Sequence, residues 1–208
     1  MNQFAAFSLR AMAMALVPAL AVTALPGTAM AQFRDGYNFL KALRDREWAE
    51  AGKLMREDLA KVINTRDVTT GETGLAIVVK DRNLDWTRLL LARGARPDIA
   101  DRDGVTPLMH ATLLGWTEGA DVLLKRGAQV DQANSRGETA LIAAVHRRDS
   151  AMVRLLIAQG ANPNRADHIA GLSARDYAKR DDRTGTLLAL LDAKPAKERP
   201  MGPVFGPN

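Results

Sequence analysis

Residues 101–133 read DRDGVTPLMHATLLGWTEGADVLLKRGAQVDQA, and the chain repeats the same pattern on either side. The following 33 residues, 134–166, read NSRGETALIAAVHRRDSAMVRLLIAQGANPNRA, and the preceding 33, 68–100, read VTTGETGLAIVVKDRNLDWTRLLLARGARPDIA. Gly94-Ala95, Gly127-Ala128 and Gly160-Ala161 therefore stand 33 residues apart, and Gly71, Gly104 and Gly137 keep the same step. Each Gly-Ala pair follows an apolar run: LLLAR, VLLKR, LLIAQ. A fixed period of this length means a stacked array, in which each unit buries its apolar face only against its neighbours. Such an array offers a long surface for binding rather than a closed pocket for chemistry.

The residue types explain the pattern. Gly104 and Gly137 permit a tight turn, and the hydroxyls of Thr106 and Thr139 can cap the helix that follows. Pro107 falls at the first helical position, where its missing N–H costs nothing. Leu108, Ala111 and Thr112 recur at helical spacing, and Val122–Leu124 form the ridge of a second helix, matched by Leu89–Leu91 and Leu155–Ile157. Gly94, Gly127 and Gly160 suit the left-handed conformation that ends that helix. Polar Asp98, Asp131 and Asn164 then open the next projecting loop.

These units resemble the ankyrin repeat, with its G-x-T-P-L start, V-x-x-L-L ridge and terminal G-A, over about 100 residues directly. The resemblance implies an all-α helical repeat solenoid with short β-hairpin loops. It divides the chain into an N-terminal helical cap (32–67), repeats at 68–100, 101–133 and 134–166, and a C-terminal capping repeat (167–193). Ala170 reads as one extra residue in the last turn. Three departures stand out. The family's T-P-L-H histidine is replaced by Ala76, Met109 and Ile142, Gly74 takes the place of proline, and Arg82 and Arg148 replace an interhelix glycine. The glycine and arginine substitutions are expected to cost local stability.

The cap shows a helix-pair pattern at Phe39, Leu40, Leu43, Trp48, Ala51, Leu54, Met55, Leu59, Val62 and Ile63. Before it, Arg10 precedes a 15-residue apolar stretch broken at Pro26-Gly27 and followed by Ala29-Met30-Ala31. That layout reads as a cleaved secretory signal over 1–31, with Gln32 the new terminus and a periplasmic destination. The run is too short to span a membrane. The sequence contains no cysteine, which excludes disulfides and thiolate metal sites. Residues 194–208, KPAKERPMGPVFGPN, read as a disordered Pro-rich tail, with 203–207 a candidate docking peptide.

Composition and motifs turn away from catalysis. The formal charge of +5 is interleaved with acids, as in Asp101-Arg102-Asp103, and forms no basic stripe for nucleic acid. His110, His146 and His168 lack metal-ligand spacing, and His110 reads as a half-buried structural histidine whose polar atoms are satisfied. No phosphate-binding loop, dinucleotide fingerprint or nucleophile elbow occurs. We expect no enzyme activity, no cofactor and no metal.

In the family the partner meets the concave side, made of hairpin tips and the outer face of the first helices. Carried over by position, this gives Arg102, Asp103, Ser135 and Arg136 at the tips, Val105 and Glu138 below them, and Lys80, Asp81, Leu113, Leu114, His146 and Arg147 on the helices. Leu113 and Leu114, with Val105 below and Trp116 nearby, are expected to form an apolar centre ringed by both signs of charge. The expected function is a periplasmic protein-binding module, monomeric, that holds an envelope protein as stabiliser or inhibitor. The alternative is a membrane-surface or tethering role using the basic excess and the tail.

Overall fold

The computed structural model describes residues 27–182 and 185–192, with side chains from Arg34. The expected signal therefore lies largely outside the described residues, as does the tail; Ala29-Met30-Ala31 fall in the first turns of α1. Eleven helices occur among the described residues, and no strand. They are α1 (Gly27–Arg44), α2 (Trp48–Glu57), α3 (Leu59–Val62), α4 (Gly74–Lys80), α5 (Leu84–Ala92), α6 (Pro107–Leu113), α7 (Thr117–Lys125), α8 (Ala140–His146), α9 (Ser150–Ala158), α10 (Ala174–Asp181) and α11 (Thr186–Asp192). Helices α1, α4, α6, α8 and α10 pack in that order as one layer, and α5, α7, α9 and α11 form the second. The cap thus contributes three helices, where the apolar pattern suggests two.

The first-layer helices α4, α6, α8 and α10 each start at a hydroxyl cap. Thr73, Thr106 and Thr139 accept from the amides of Ala76, Met109 and Ile142 at 3.2–3.3 Å. Those three donors occupy the position where the family carries histidine. Pro107 takes the first helical position of α6. Gly94, Gly127 and Gly160 end the second-layer helices at φ of +91°, +86° and +86°. The loops between units register as isolated antiparallel bridges, Arg66–Thr73, Ala133–Thr139 and Ala166–Ser173. One continuous core runs through the stack, from Phe39 and Leu43 through Leu90, Leu123 and Leu156 to Leu191.

Neighbouring loops are laced together by hydrogen bonds. At the tips, Arg102, Ser135 and His168 donate their amides to the carbonyls of Thr70, Asp103 and Arg136 at 2.8–3.0 Å. Further along, Asp98 accepts from the Gln129 amide and Asp131 from the Asn162 amide, so these acids clamp one unit to the next.

The departures from the repeat pattern have physical reasons. Gly74 is required rather than costly: a Cβ there would lie 2.8 Å from Leu43 and 2.9 Å from Phe39, both fully buried on α1. Arg82 and Arg148 adopt φ of +52° and +54°, a conformation that costs a non-glycine residue about 1–2 kcal/mol. Each offsets that cost by donating its guanidinium to a carbonyl of the next unit, Arg82 to Leu114 and Arg148 to Asp181. Gly115 holds the equivalent place in the middle unit.

Candidate functional site

The loop tips are organised by one side chain per turn. Asp101 Oδ1 accepts from the amides of Asp103 and Val105, and Asn134 Oδ1 from those of Arg136 and Glu138. Asp167 Oδ1 accepts from Ile169, Ala170 and Gly171. In the first turn the residue in this role is Asp67, whose Oδ1 accepts from Thr69 at 2.7 Å and Thr70 at 2.9 Å. It stands one place before Val68, the start expected from a strict 33-residue count. The first and last turns are therefore each one residue longer than the middle two, and the extra residue foreseen at Ala170 has a counterpart in the first turn. Amide donation and the Arg44 guanidinium, 2.8 Å from Oδ2, hold the Asp67 carboxyl down at about 2.

With the turns aligned, two rows line the inner face, the surface made by the first-layer helices and the tips. The helix row is Lys80, Leu113, His146 and Arg180; the loop row is Glu72, Val105, Glu138 and Leu172. Lys80 and Glu72 form an ion pair at 2.5 Å, with Arg44 3.6 Å from the same carboxylate. Burial pushes the Glu72 carboxyl up, yet Lys80, the Thr70 hydroxyl and Arg44 together take it below the ordinary glutamate range. Two repeats on, the Glu138 carboxylate is held by the Arg136 guanidinium at 2.8 Å and accepts from the Asn134 side-chain Nδ2 at 3.2 Å. His146 packs edge-on against Tyr177, ring centroids 4.2 Å apart, and Arg180 lies 4.9 Å over the same ring. The Tyr177 hydroxyl donates to Asp167 Oδ2 at 2.5 Å. Between the Lys80–Glu72 pair and the His146–Glu138 position sit Val105, half-buried, and Leu113, 44% exposed.

Of the residues singled out from the sequence, Lys80, Asp81, Arg102, Asp103, Leu113, Ser135, Arg136, His146 and Arg147 are exposed, and Val105, Leu114 and Glu138 are half-buried. Two expectations need correction. Leu114 caps α6 and is half-buried, with its carbonyl taken by Arg82, so the exposed apolar centre is Leu113 with Val105 beneath. Trp116 caps the start of α7 in the second layer, half-buried, and lies so close over Gly119 that a Cβ there would meet its ring at 2.1 Å. The satisfied histidine is corrected too. His110 Nε2 is buried 3.3 Å from Asp101 Oδ2 without hydrogen-bond geometry.

Three further apolar groups on this face escaped the sequence reading: Tyr37 on α1, 59% exposed, Val68 on the first tip, 71%, and Ile169 on the last, 76%. Aligning the turns on their acids rather than on a fixed period would have marked Val68 and Ile169 as tip residues. Together with Leu113 they are the exposed large apolar residues among the described residues, and none lies on a second-layer helix. Trp48 on α2 and Trp86 and Trp116 of the second layer are half-buried against the core, Trp48 stacking on Trp86 with centroids 5.2 Å apart. Among the described residues no group of three or more His, Cys, Asp or Glu could hold a metal, and no helix is long and apolar enough to cross a membrane.

Comparison with known proteins agrees with this architecture. A sequence model of ankyrin repeats (3 copies) matches residues 30–134 and 75–167. The chain belongs to the ankyrin repeat family. An ankyrin repeat-containing protein of Treponema pallidum (strain Nichols) is 39% identical over 110 residues, covering 52% of this chain and 37% of the relative. The chain thus aligns with little more than a third of that curated relative. Ankyrin repeats generally mediate protein–protein interaction, typically as non-enzymatic scaffolds.

Proposed function

We propose that this protein is a non-enzymatic binding module of the periplasm that holds an envelope protein against its concave inner face, as a stabiliser or an inhibitor of that partner. One observation carries the reading: among the described residues the exposed large apolar side chains lie on this face, while Lys80, Asp81, Arg102, Asp103, Arg136 and Arg147 supply a rim of both signs. An apolar centre within a polar rim is how interface hot spots are arranged, because the rim keeps water from the contacts that matter. The tripartite layout of residues 1–31 supports export.

The test is affinity capture from the native host's periplasmic extract, with the wild-type chain beside Leu113→Glu and Arg154→Glu. Leu113 is exposed on α6, so its variant keeps the fold, and exposed Arg154 on α9 serves as a second-layer control. One protein enriched by wild type and Arg154→Glu, and lost with Leu113→Glu, supports the reading. Equal capture by all three removes the inner face from it. N-terminal sequencing of the exported chain checks the expected start at Gln32.

A further inference from the structure

At one end of the inner face a pocket of about 400 Å3 opens between α1, α3 and the first tip, lined by Tyr37, Leu40, Val68 and Thr69 with Lys61, Thr65, Arg66 and Asp67 at its walls. Its charged groups are already matched in place. Lys61 pairs with Asp58 at 2.5 Å. Asp67 is taken by Arg44 and two turn amides. Arg66 donates to the carbonyls of Gly71 at 3.1 Å and Ala100 at 2.8 Å. A charged guest would find no free counter-charge here and would lose its hydration, whereas an uncharged apolar guest disturbs none of these pairs.

The rim of the pocket is tied to the next repeat. The additional residue of the first turn belongs to the segment that sets Val68 at the rim, and the Arg102 guanidinium of the next tip donates to the Val68 carbonyl. That bond anchors the backbone while 71% of the residue stays exposed. Tyr37 presents its ring across from it, 59% exposed, and its hydroxyl has no partner among the described residues. An apolar slot with one spare hydroxyl at its rim suits an apolar side chain that arrives attached to a peptide backbone, whose carbonyl can accept from that hydroxyl.

We propose that this pocket is an anchor subsite that takes an uncharged aromatic or branched aliphatic side chain from an extended segment of a protein partner. The inference deepens the binding-module reading by assigning the chemistry of the anchor, and it rests on that reading only for the source of the segment. Its test needs no partner. The full chain, labelled with 15N, is titrated with the peptide acetyl-Ala-Ala-Phe-Ala-Ala-amide, and the amide shifts of Lys61, Val68 and Thr69 are followed. The same peptide with Asp or Lys at the centre, and free 2-phenylethanol, serve as comparisons.

Saturable binding of the Phe peptide is expected, at least tenfold tighter than either charged peptide and tighter than the free alcohol. Val68→Asp and Tyr37→Ala, both at exposed positions, should each weaken it tenfold or more, and Ile169→Asp on the last tip should leave it unchanged. Charged peptides binding equally well would overturn the assignment, as would an equal loss with Ile169→Asp or no saturation at all. An alcohol that binds as tightly as the peptide would make this a small-molecule pocket and reject the peptide source. Equal capture by wild type, Leu113→Glu and Arg154→Glu, with saturable Phe-peptide binding here, would sink the concave-face reading and leave this site standing.

Discussion

Replacing Gly74 with alanine should destabilise the N-terminal half of the stack, although every general rule favours the change. Glycine in a helix costs about 1 kcal/mol relative to alanine. The equivalent first helical positions carry Pro107, Ala140 and Ala174, so the repeat pattern itself recommends a side chain. Packing decides otherwise. The added Cβ would sit 2.8 Å from Leu43 Cδ1 and 2.9 Å from Phe39 Cε1, and both side chains have no exposed surface through which to yield. Overpacking a closed core costs about 1–3 kcal/mol, so the net loss is about 1 kcal/mol for Gly74→Ala, and Gly74→Pro costs more. Urea unfolding followed by tryptophan fluorescence is the assay, because the Trp48–Trp86 stack reports on these units and a repeat array can open locally. Leu43→Ala alone should cost about 2–5 kcal/mol, and adding Gly74→Ala to it should cost nothing further or restore stability. A Gly74→Ala protein at least as stable as wild type, or a cycle without coupling, would refute the reasoning.

Three other perturbations test separate parts of the structure. Asp67→Asn keeps an acceptor for the turn, as Asn134 does naturally, but loses the Arg44 pair; because the folded carboxyl is depressed from 3.8 to about 2, roughly 2 kcal/mol is present above pH 4. The gap in urea midpoint between wild type and variant should therefore close as pH falls from 4 towards 2. Gly119→Ala forces its Cβ into the Trp116 ring at 2.1 Å, so Trp116 must swing outward: a red-shifted emission and a loss of about 1–3 kcal/mol are expected, and an unchanged spectrum would contradict the packing. His110 has its pKa lowered from 6.5 by burial, against the opposing pull of Asp101, with Lys80 and Glu72 also acting on it. The unfolded chain then takes up a proton first, so stability falls as pH drops below 6.5, and a His110→Gln variant should show a flatter melting temperature between pH 7 and 5.

Much of the architecture was legible because repetition multiplies local signals. Gly94, Gly127 and Gly160 each ended a helix, and Thr106 and Thr139 each capped one, since glycine and hydroxyl residues act on their own backbone within a turn. The exposed row that includes Lys80, Leu113 and His146 was equally readable, because position within a repeat determines which face a residue joins. Where a count of 33 replaced the physical marker, the reading slipped. Asp67 and Asp167 fix their turns through side-chain acceptors, and an added residue in each turn shifts the count without disturbing the geometry. That shift hid Val68 and Ile169.

The sequence by itself determined the period and the residues that start and end the repeat helices, because those follow from contacts within a unit or to a like neighbour. Only the tertiary structure decided what happens where neighbours are not identical. Phe39 and Leu43 of the cap explain Gly74, and Arg82 and Arg148 earn their left-handed turns from carbonyls 32 and 33 residues away. Leu113 stands in solvent at the end of α6 while Leu114, its C-cap, is half-buried. The pocket beneath Val68 exists because α1, α3 and a lengthened turn converge, and no single segment encodes that convergence.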